Sequence, residues 1–170
     1  MLIRTPLTLS LVSLLAACAG APMMAKAYDQ SVLPAPVQVP AGNSVAMEAV
    51  GIGQITYECR PKTTAAGEFE WFFVGPDAKL MDRDGRQVGK YFGPPATWEN
   101  MDGSKVTATQ VAVAPAMAGS IPYQLVKANP ASGSGMMTGT TYIQRVATVG
   151  GVAPTLPCTA SNIGAKQVVQ

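Results

Sequence analysis

The side chains in this sequence that are suited to chemistry are few, and most are carboxylates. Glu68 and Glu70 stand two residues apart, so on a strand both carboxylates would lie on one face about 7 Å apart, within the range of glycosidase pairs. A solvated strand face above Phe69, Trp71 and Phe73 gives the same pattern. We favour the solvated face.

The sequence contains no histidine. This excludes Ser-His-Asp and Cys-His catalysis and every zinc site that needs imidazole. Too few cysteines remain for a four-cysteine zinc site, and we expect neither a metal nor a cofactor. The sequence therefore favours a non-catalytic module that binds a ligand or partner, or has a structural role. The alternative is a carboxylate-based hydrolase that acts on a polysaccharide through Glu70 or Glu99.

Trp98 is the most prominent binding candidate, because it follows the rigid turn at residues 93–97 and has a carboxylate beside it. Aromatic rings of this kind stack on sugars or apolar ligands, although core packing also explains such residues. We expect a glycan, a small apolar ligand or an envelope protein as the occupant. The predicted binding face comprises Trp98, Glu99, Lys105, Tyr142 and Arg145.

The N-terminus has the pattern of an export signal. Arg4 supplies a positive charge, and an apolar run from Leu7 to Ala17 follows. A membrane-spanning helix needs roughly 20 apolar residues, so this run is too short to remain as an anchor. It ends in Leu15-Ala16-Ala17-Cys18, which resembles the lipobox of bacterial lipoproteins. The pattern predicts cleavage before Cys18 and attachment to a membrane through lipid on that thiol.

A soluble secreted or periplasmic protein, cut after Ala25-Lys26-Ala27, is the alternative. If Cys18 carries lipid, Ala19 differs from the aspartate that resembles an inner-membrane retention signal, so an outer-membrane location is favoured. The residues then divide into a signal peptide (1–17), a lipidated cysteine with a Pro-rich tether (18–44) and a folded domain (45–170).

Lipidation of Cys18 leaves Cys59 and Cys158 as a pair in an oxidising compartment, which predicts a disulfide. Two buried free thiols are the alternative. Closing a loop of about 100 residues is worth roughly 4.7 kcal/mol in the chain-entropy model.

Composition predicts a turn-rich β protein with a nearly neutral surface. Charged residues make up 13% of the sequence against a typical quarter, the net charge is +2, and there are 17 Gly and 14 Pro. A charge this small gives no electrostatic basis for binding nucleic acid.

Residues 54–59 alternate strictly between apolar and polar side chains, as in a half-buried strand. Further strands are predicted at 68–74, 78–81, 87–92, 96–99, 105–113, 121–128 and 140–148, with Asp84-Gly85 and Asp102-Gly103 as hairpin turns. This pattern predicts a single all-β domain, an antiparallel β-sandwich or flattened β-barrel of about eight strands.

Several motifs together resemble domain-of-unknown-function family 3455, an uncharacterised group of bacterial and fungal proteins that are often exported. They are Tyr57-Glu58-Cys59, Gly93-Pro94, Thr97-Trp98-Glu99, residues 102–106, Ile121-Pro122, residues 141–146, Thr148, Gly150-Gly151, Ala153-Pro154 and Cys158. The resemblance implies a fold and a compartment rather than an activity. Members commonly have a histidine shortly before the Gly-Pro turn, where this sequence has Lys90 or its neighbours. If that histidine is catalytic in the family, the resemblance implies that this protein lacks the activity.

Overall fold

The computed structural model describes residues 28–170, and these residues form an all-β domain. Two short 3₁₀ turns, Ala35–Val37 and Ala160–Asn162, are the helical elements in this part of the chain. No helix within it is long and apolar enough to cross a bilayer. The strands are β1 (Val50–Pro61), β2 (Phe69–Met81), β3 (Gln87–Phe92), β4 (Thr97–Asn100), β5 (Lys105–Ala114), β6 (Tyr123–Ala128), β7 (Tyr142–Arg145) and β8 (Lys166–Val169).

The strands form one antiparallel sheet in the order β7-β6-β5-β4-β3-β2-β1-β8. The first seven strands are neighbours in sequence order, and their connections range from the tight β4–β5 turn to the long loop of residues 129–141 before β7. An all-β antiparallel domain of about eight strands was predicted, and this is confirmed. The sheet is not closed into a barrel, so β7 and β8 are its two edge strands. The export signal and Cys18 lie outside the described residues.

The strand β2 is continuous where the sequence predicted two strands. The gap between the predicted strands at 68–74 and 78–81 falls at residues 75–77, but these residues continue the pairing with β1, beside a register shift between Thr56 and Tyr57. Gly75 is also a point of close approach, since a Cβ there would lie 2.9 Å from both atoms of the Gly93 carbonyl group. A bulge beside a glycine bends the strand without ending it.

The sheet curls so that distant strands share one inner face. Cross-strand partners lie on the same side of a sheet, and the registers therefore assign Tyr57, Tyr91, Trp98 and Arg145 to this inner face. Lys90, Glu99 and Lys105 occupy the outer face.

The segment after β7 ties the two edges of the sheet together at one end. The Gly151 N–H donates to Gln170 O after β8 (2.9 Å), and Ile121 N–H before β6 donates to Gly150 O (2.9 Å). The Tyr57 hydroxyl on β1 also donates to Gly151 O at 2.8 Å. Individual hydrogen bonds to backbone carbonyl groups therefore hold one end of the curled sheet together, without a continuous ladder of hydrogen bonds between the two edge strands.

The predicted disulfide between Cys59 and Cys158 is present, with 5.4 Å between the two Cα atoms. It joins the C-terminal segment to β1, and Cys59 N–H also donates to Ala165 O at 2.9 Å. The Trp71 indole N–H donates to Leu156 O of the same segment at 2.6 Å. These contacts align β8 with β1, a pairing that the sequence analysis missed.

Residues 28–44 pack on the domain, which corrects the expectation that they belong to a free tether. Val37 is fully buried against Ala114 and Leu125 on the outer face of β5 and β6. Its carbonyl accepts a 2.6 Å hydrogen bond from Gln144 Nε2 on β7. Burying a valine side chain of this size contributes about 1.5–3 kcal/mol, which explains why a Pro-rich segment is ordered here.

Candidate functional site

A groove of about 660 Å³ runs between residues 43–49 and the free edge of β7. Most of its apolar surface comes from residues far apart in sequence. Trp98 reaches it from β4, Tyr142 and Ile143 from β7, and two methionines from the loop before β7. The apolar lining includes Val45, Met47, Trp98, Met136, Met137 and Ile143. We refer to this site as the β7 groove.

The wall of the β7 groove formed by residues 43–49 is held at both of its ends. Thr141 Oγ1 donates to Asn43 Oδ1 at 2.7 Å, next to the start of β7. At the other end, Arg83 Nη2 donates to Glu48 Oε2 at 2.6 Å. Because hydrogen bonds tie the wall at both ends, this side of the groove is pre-organised.

The second wall is the loop of residues 132–139, which polar groups of the β4–β5 turn hold in place. Asp102 Oδ1 accepts from the Ser104 N–H (2.9 Å) and hydroxyl (2.6 Å), and its Oδ2 accepts from Met136 N–H at 2.7 Å. The buried Ser104 hydroxyl accepts from Met137 N–H at 3.0 Å. Gly135 is required beside this carboxylate, since a Cβ there would overlap with Asp102 Oδ2. We call this set of bonds the Asp102 clasp.

These bonds also change the acidity of Asp102. Its hydrogen bond from the Ser104 hydroxyl, with those from the two main-chain N–H groups, holds the pKa of the carboxyl below its usual value. The charged form is stabilised because only the carboxylate accepts all of these bonds. The motif Asp102-Gly103-Ser104 is therefore a structural element of the groove wall rather than a catalytic set.

The edge strand β7 presents free main-chain groups to the groove. Ala128 N–H donates to Thr141 O at 2.9 Å, and in an antiparallel pair the bonded residues alternate from there. Ile143 and Arg145 therefore bond to β6, while the N–H and C=O of Tyr142 and Gln144 point away from it. Among residues 28–170, no other main-chain or side-chain group bonds to these four outward groups.

Trp98 is positioned by an aromatic stack on the inner face. Its ring lies 4.5 Å from the ring of Tyr91, with an angle of 16° between the planes. Burial raises the pKa of the Tyr91 hydroxyl above its usual value, so it remains a neutral hydrogen-bond donor at physiological pH. The stack fixes the Trp98 side chain and leaves the part of it that faces the groove uncovered.

Trp98 and Tyr142 both line the β7 groove, Trp98 from the inner face and Tyr142 from the outer face at the edge of the sheet. The other three candidates do not line it. Glu99 follows Trp98 directly and therefore points to the outer face, where its carboxylate lies 3.3 Å from Lys90 Nζ and 3.9 Å from Lys105 Nζ. Adjacent residues of a strand face opposite sides. The five residues therefore do not form a single binding face.

Arg145, the fifth candidate, lies on the inner face near the tie between the sheet edges. Its Nε and Nη2 donate to Pro122 O at 3.1 and 2.9 Å. Burial lowers the pKa of its guanidinium, while the neighbouring Tyr91 and Tyr57 act in the opposite direction. Arg145 therefore shares the inner face with Trp98 but lies outside the β7 groove.

The groove also includes residues outside the predicted binding face, namely three methionines and residues 43–49. Met136-Met137 is a recognisable signal, because flexible thioethers suit adaptable apolar surfaces. Residues 43–49 span the predicted border between tether and domain and have no periodic pattern, so the sequence contains no signal for them. They form a wall of the groove only because of where they cross the sheet.

The carboxylates considered for catalysis are either exposed or paired with lysines. Glu68 binds Lys62 Nζ at 2.6 Å, Glu70 is exposed, and Glu99 is held between two lysines. Within residues 28–170, no three acidic or cysteine side chains meet at a point where a metal ion would bind. The surroundings of Glu68 and Glu70 therefore agree with the interpretation that these two side chains belong to a solvated strand face.

The fold and groove together define a small all-β module with a pre-formed groove along an open sheet edge. The chain belongs to the family described as protein of unknown function (DUF3455), whose model matches residues 40–170. This confirms the resemblance found in the sequence. No curated protein and no solved structure matches it.

Proposed function

We propose that this protein is an exported cell-envelope lipoprotein whose domain is a non-catalytic binding module, with the β7 groove as its site. The observation that carries the proposal is the groove itself. It is an apolar cleft of about 660 Å³ beside the edge strand β7. Four main-chain groups of this strand, the N–H and C=O of Tyr142 and Gln144, bond to no other described residue. Ligand sites are typically concave, mostly apolar and pre-formed, with a few polar groups that orient the occupant.

The occupant that fits best is an extended, uncharged polypeptide segment that adds a strand to β7. Its main chain would bond to Tyr142 and Gln144, which supply two N–H donors and two C=O acceptors at the spacing of a strand ladder. Strand addition of this kind takes its affinity from main-chain bonds and its selectivity from pockets for alternate side chains. Trp98, Met47 and Met136 supply apolar surface for those side chains.

The charges around the groove favour an uncharged occupant over an anionic one. Among the described residues, no lysine or arginine lines it, and its one carboxylate, Glu48, is already paired with Arg83. A fatty acid or acidic glycan would lose hydration of its anionic group without gaining a cation.

Amide hydrogen exchange on the full-length protein tests this proposal. In the free protein, the amides of Ile143 and Arg145 should be protected by β6, while those of Tyr142 and Gln144 exchange quickly. A capped pentapeptide of alternating threonine and valine is a suitable probe, because main-chain pairing tolerates many sequences. At millimolar peptide, Tyr142 and Gln144 should become protected, whereas no change at these two amides would contradict strand addition.

A pair of variants separates groove binding from non-specific association. Trp98→Ala removes apolar surface in the groove and should weaken the peptide at least tenfold, about 1.4 kcal/mol. Met117→Ala removes an apolar side chain that is 77% exposed and outside the groove, and should leave binding unchanged. Equal weakening by both substitutions would indicate that the peptide adheres to apolar surface in general.

The lipid anchor is a separate part of the proposal and rests on Leu15-Ala16-Ala17-Cys18. Labelling cells with a radioactive fatty acid should mark the wild-type protein and not Cys18→Ser. Cell fractionation should recover the wild type with the outer membrane and the variant in soluble form. An unlabelled wild type would favour the soluble alternative and would leave the groove proposal intact.

A further inference from the structure

Three methionines line the β7 groove, from both of its walls. Met47 belongs to the first wall, and Met136 and Met137 belong to the second. The sulfur of each is a thioether, and soft sulfur ligands of this kind favour Cu(I). The lack of histidine excludes imidazole ligands but leaves thioether ligands available. Three soft ligands therefore line one cavity.

The Met47 sulfur is held against the β4–β5 turn. Asn100 Nδ2 donates to Met47 Sδ at 3.7 Å, and Asn100 Oδ1 accepts from Asp102 N–H at 3.1 Å. The Asn100 side chain therefore connects Met47 to the turn that carries the Asp102 clasp. A thioether is only a weak hydrogen-bond acceptor, so this contact positions the sulfur and leaves it able to bind a metal ion.

The other two methionines are anchored to the same turn by the Asp102 clasp. Met136 N–H donates to Asp102 Oδ2 at 2.7 Å, and Met137 N–H donates to the Ser104 hydroxyl at 3.0 Å. The two ends of the turn are close together, because Asn100 N–H donates to Ser104 O at 2.9 Å. One short turn therefore anchors all three methionines. Their side chains each have three rotatable bonds, which allows the sulfur atoms to adjust to a shared ion.

The methionines of the groove differ in their exposure. Met137 is only 4% exposed, whereas Met136 is 48% exposed, and Met47 is intermediate between them. One thioether is therefore open to solvent while another lies deep in the lining. This arrangement suits an ion that enters from solvent and gives up its water molecules to sulfur ligands.

The rest of the groove lining suits a soft monovalent cation. No lysine or arginine among the described residues lines it, so a cation meets no like charge there. Trp98 lines the same cavity, and tryptophan attracts cations to its ring face more strongly than other aromatic residues. Hard divalent cations need several oxygen ligands, but the one carboxylate of the described lining, Glu48, is paired with Arg83.

We propose that the thioethers of Met47, Met136 and Met137 bind a Cu(I) ion in the β7 groove, with the indole of Trp98 beside it. Neutral sulfur ligands leave the charge of the ion at +1, which the indole ring partly offsets. The step is ligation without electron transfer. Such a site departs from the sequence-based expectation of no metal, which rested on imidazole and cysteine ligands. It needs no peptide on β7, so this proposal and strand addition can fail separately.

Calorimetric titration with silver nitrate tests the site, because Ag(I) is a soft monovalent ion that keeps its oxidation state in air. The protein is the full-length chain with Cys18→Ser, so that this thiol does not compete, and Cys59 and Cys158 are already bonded to each other. In chloride-free buffer we expect a saturable site of micromolar or tighter affinity. Zinc nitrate should bind at least tenfold more weakly, because Zn²⁺ prefers imidazole, thiolate and carboxylate ligands.

Leucine replacements remove the sulfur and nearly preserve the volume of the side chain. Met47→Leu and Met136→Leu should each weaken silver binding at least tenfold, while their unfolding temperatures stay close to that of the parent protein. Met117→Leu is the matched control, because Met117 is 77% exposed and lies outside the groove. It should leave silver binding unchanged.

Tryptophan fluorescence reports where the ion binds. The chain has two tryptophans, and Trp71 lies outside the groove, with its indole N–H bonded to Leu156 O. Silver should quench the emission of the parent protein, and the quenching should be lost in Trp98→Phe. Four results would each overturn the proposal: no saturable silver binding, zinc binding as tight as silver, unchanged silver affinity in either Met47→Leu or Met136→Leu, or quenching that persists in Trp98→Phe.

Discussion

Two segments of this protein are attached to the same sheet by different chemistry. The C-terminal segment before β8 is joined to β1 by the disulfide between Cys59 and Cys158. Residues 132–139 are held to the β4–β5 turn by the Asp102 clasp. A disulfide acts mainly by restricting the unfolded state, whereas the hydrogen bonds of the clasp exist only in the folded state. The first attachment therefore responds to reductant and the second to acid.

This difference matches what each segment does. The disulfide secures β8, which has only four residues and depends on a partner strand far away in sequence. The Asp102 clasp positions Met136 and Met137 in the wall of the β7 groove. The following four changes test the comparison, from the largest expected effect to the smallest.

Replacing both Cys59 and Cys158 by serine should cost the most stability. The two cysteines are 99 residues apart, and opening a loop of about 100 residues removes roughly 4.7 kcal/mol in the chain-entropy model. Guanidinium unfolding of the full-length variant measures this loss, and reduced wild type is the matched control. A loss below about 2 kcal/mol would mean that the covalent attachment is not the stronger one.

Ser104→Ala tests the polar attachment. It leaves the Met137 N–H without its acceptor at a site where Ser104 is fully buried, which should cost about 1–3 kcal/mol. The same unfolding experiment measures the loss. Ser134→Ala, at an exposed position of the same loop, is the control and should stay within about 0.5 kcal/mol of the wild type.

Acid should loosen the Asp102 clasp without affecting the disulfide. The folded-state pKa of Asp102 is depressed, chiefly by the Ser104 hydroxyl. The contribution of Asp102 to stability is therefore complete above the unfolded-state pKa of about 3.9 and is lost as pH falls through the lower folded-state pKa. Faster exchange of the Met136 amide in this range would report the change.

Asp102→Asn is the control for the acid experiment, because an amide does not titrate. Its Met136 amide should exchange faster than in the wild type at neutral pH, and the acid-induced change should disappear. If the wild type and the variant respond equally to acid, another carboxyl group must control this loop.

Glu99→Gln should have the smallest effect, because Glu99 belongs to neither attachment. Its ion pairs with Lys90 and Lys105 lie on the outer face beside partly exposed lysines, and such pairs are worth about 0–1 kcal/mol. Urea unfolding should detect a change below about 1 kcal/mol, with peptide binding unaffected. Loss of a polysaccharide-hydrolysing activity in this variant would instead support the hydrolase alternative.

Local patterns in the sequence predicted most of the strands. The alternation of residues 54–59 and the Asp-Gly turns at 84–85 and 102–103 appear as predicted, since strand faces and tight turns depend on neighbouring residues. The strand β8 was missed because Lys166–Val169 is short and its partner β1 is distant in sequence. The predicted gap at residues 75–77 was wrong, because Gly75 and Pro76 pair with β1 and only Val74 is left unpaired at the bulge.

The candidate site was predicted only in part. Trp98 and Tyr142 both line the groove, whereas Glu99 does not, because it points to the face opposite Trp98, as the alternation of side chains along β4 requires. Met47 and the segment around it were not predicted to contribute, because their contact with β7 depends on how the N-terminal residues cross the sheet.

The amino-acid sequence by itself determined the class of fold, the pairing of Cys59 with Cys158 and the lack of histidine chemistry, because each follows from residue types, their number or their local spacing. Only the tertiary structure decided that the sheet stays open and curls, that residues 28–44 pack against it, and which of the candidate residues meet. Those outcomes depend on contacts such as Val37 with Leu125 and Tyr57 with Gly151. Contacts over such long separations leave no periodic signal in the sequence.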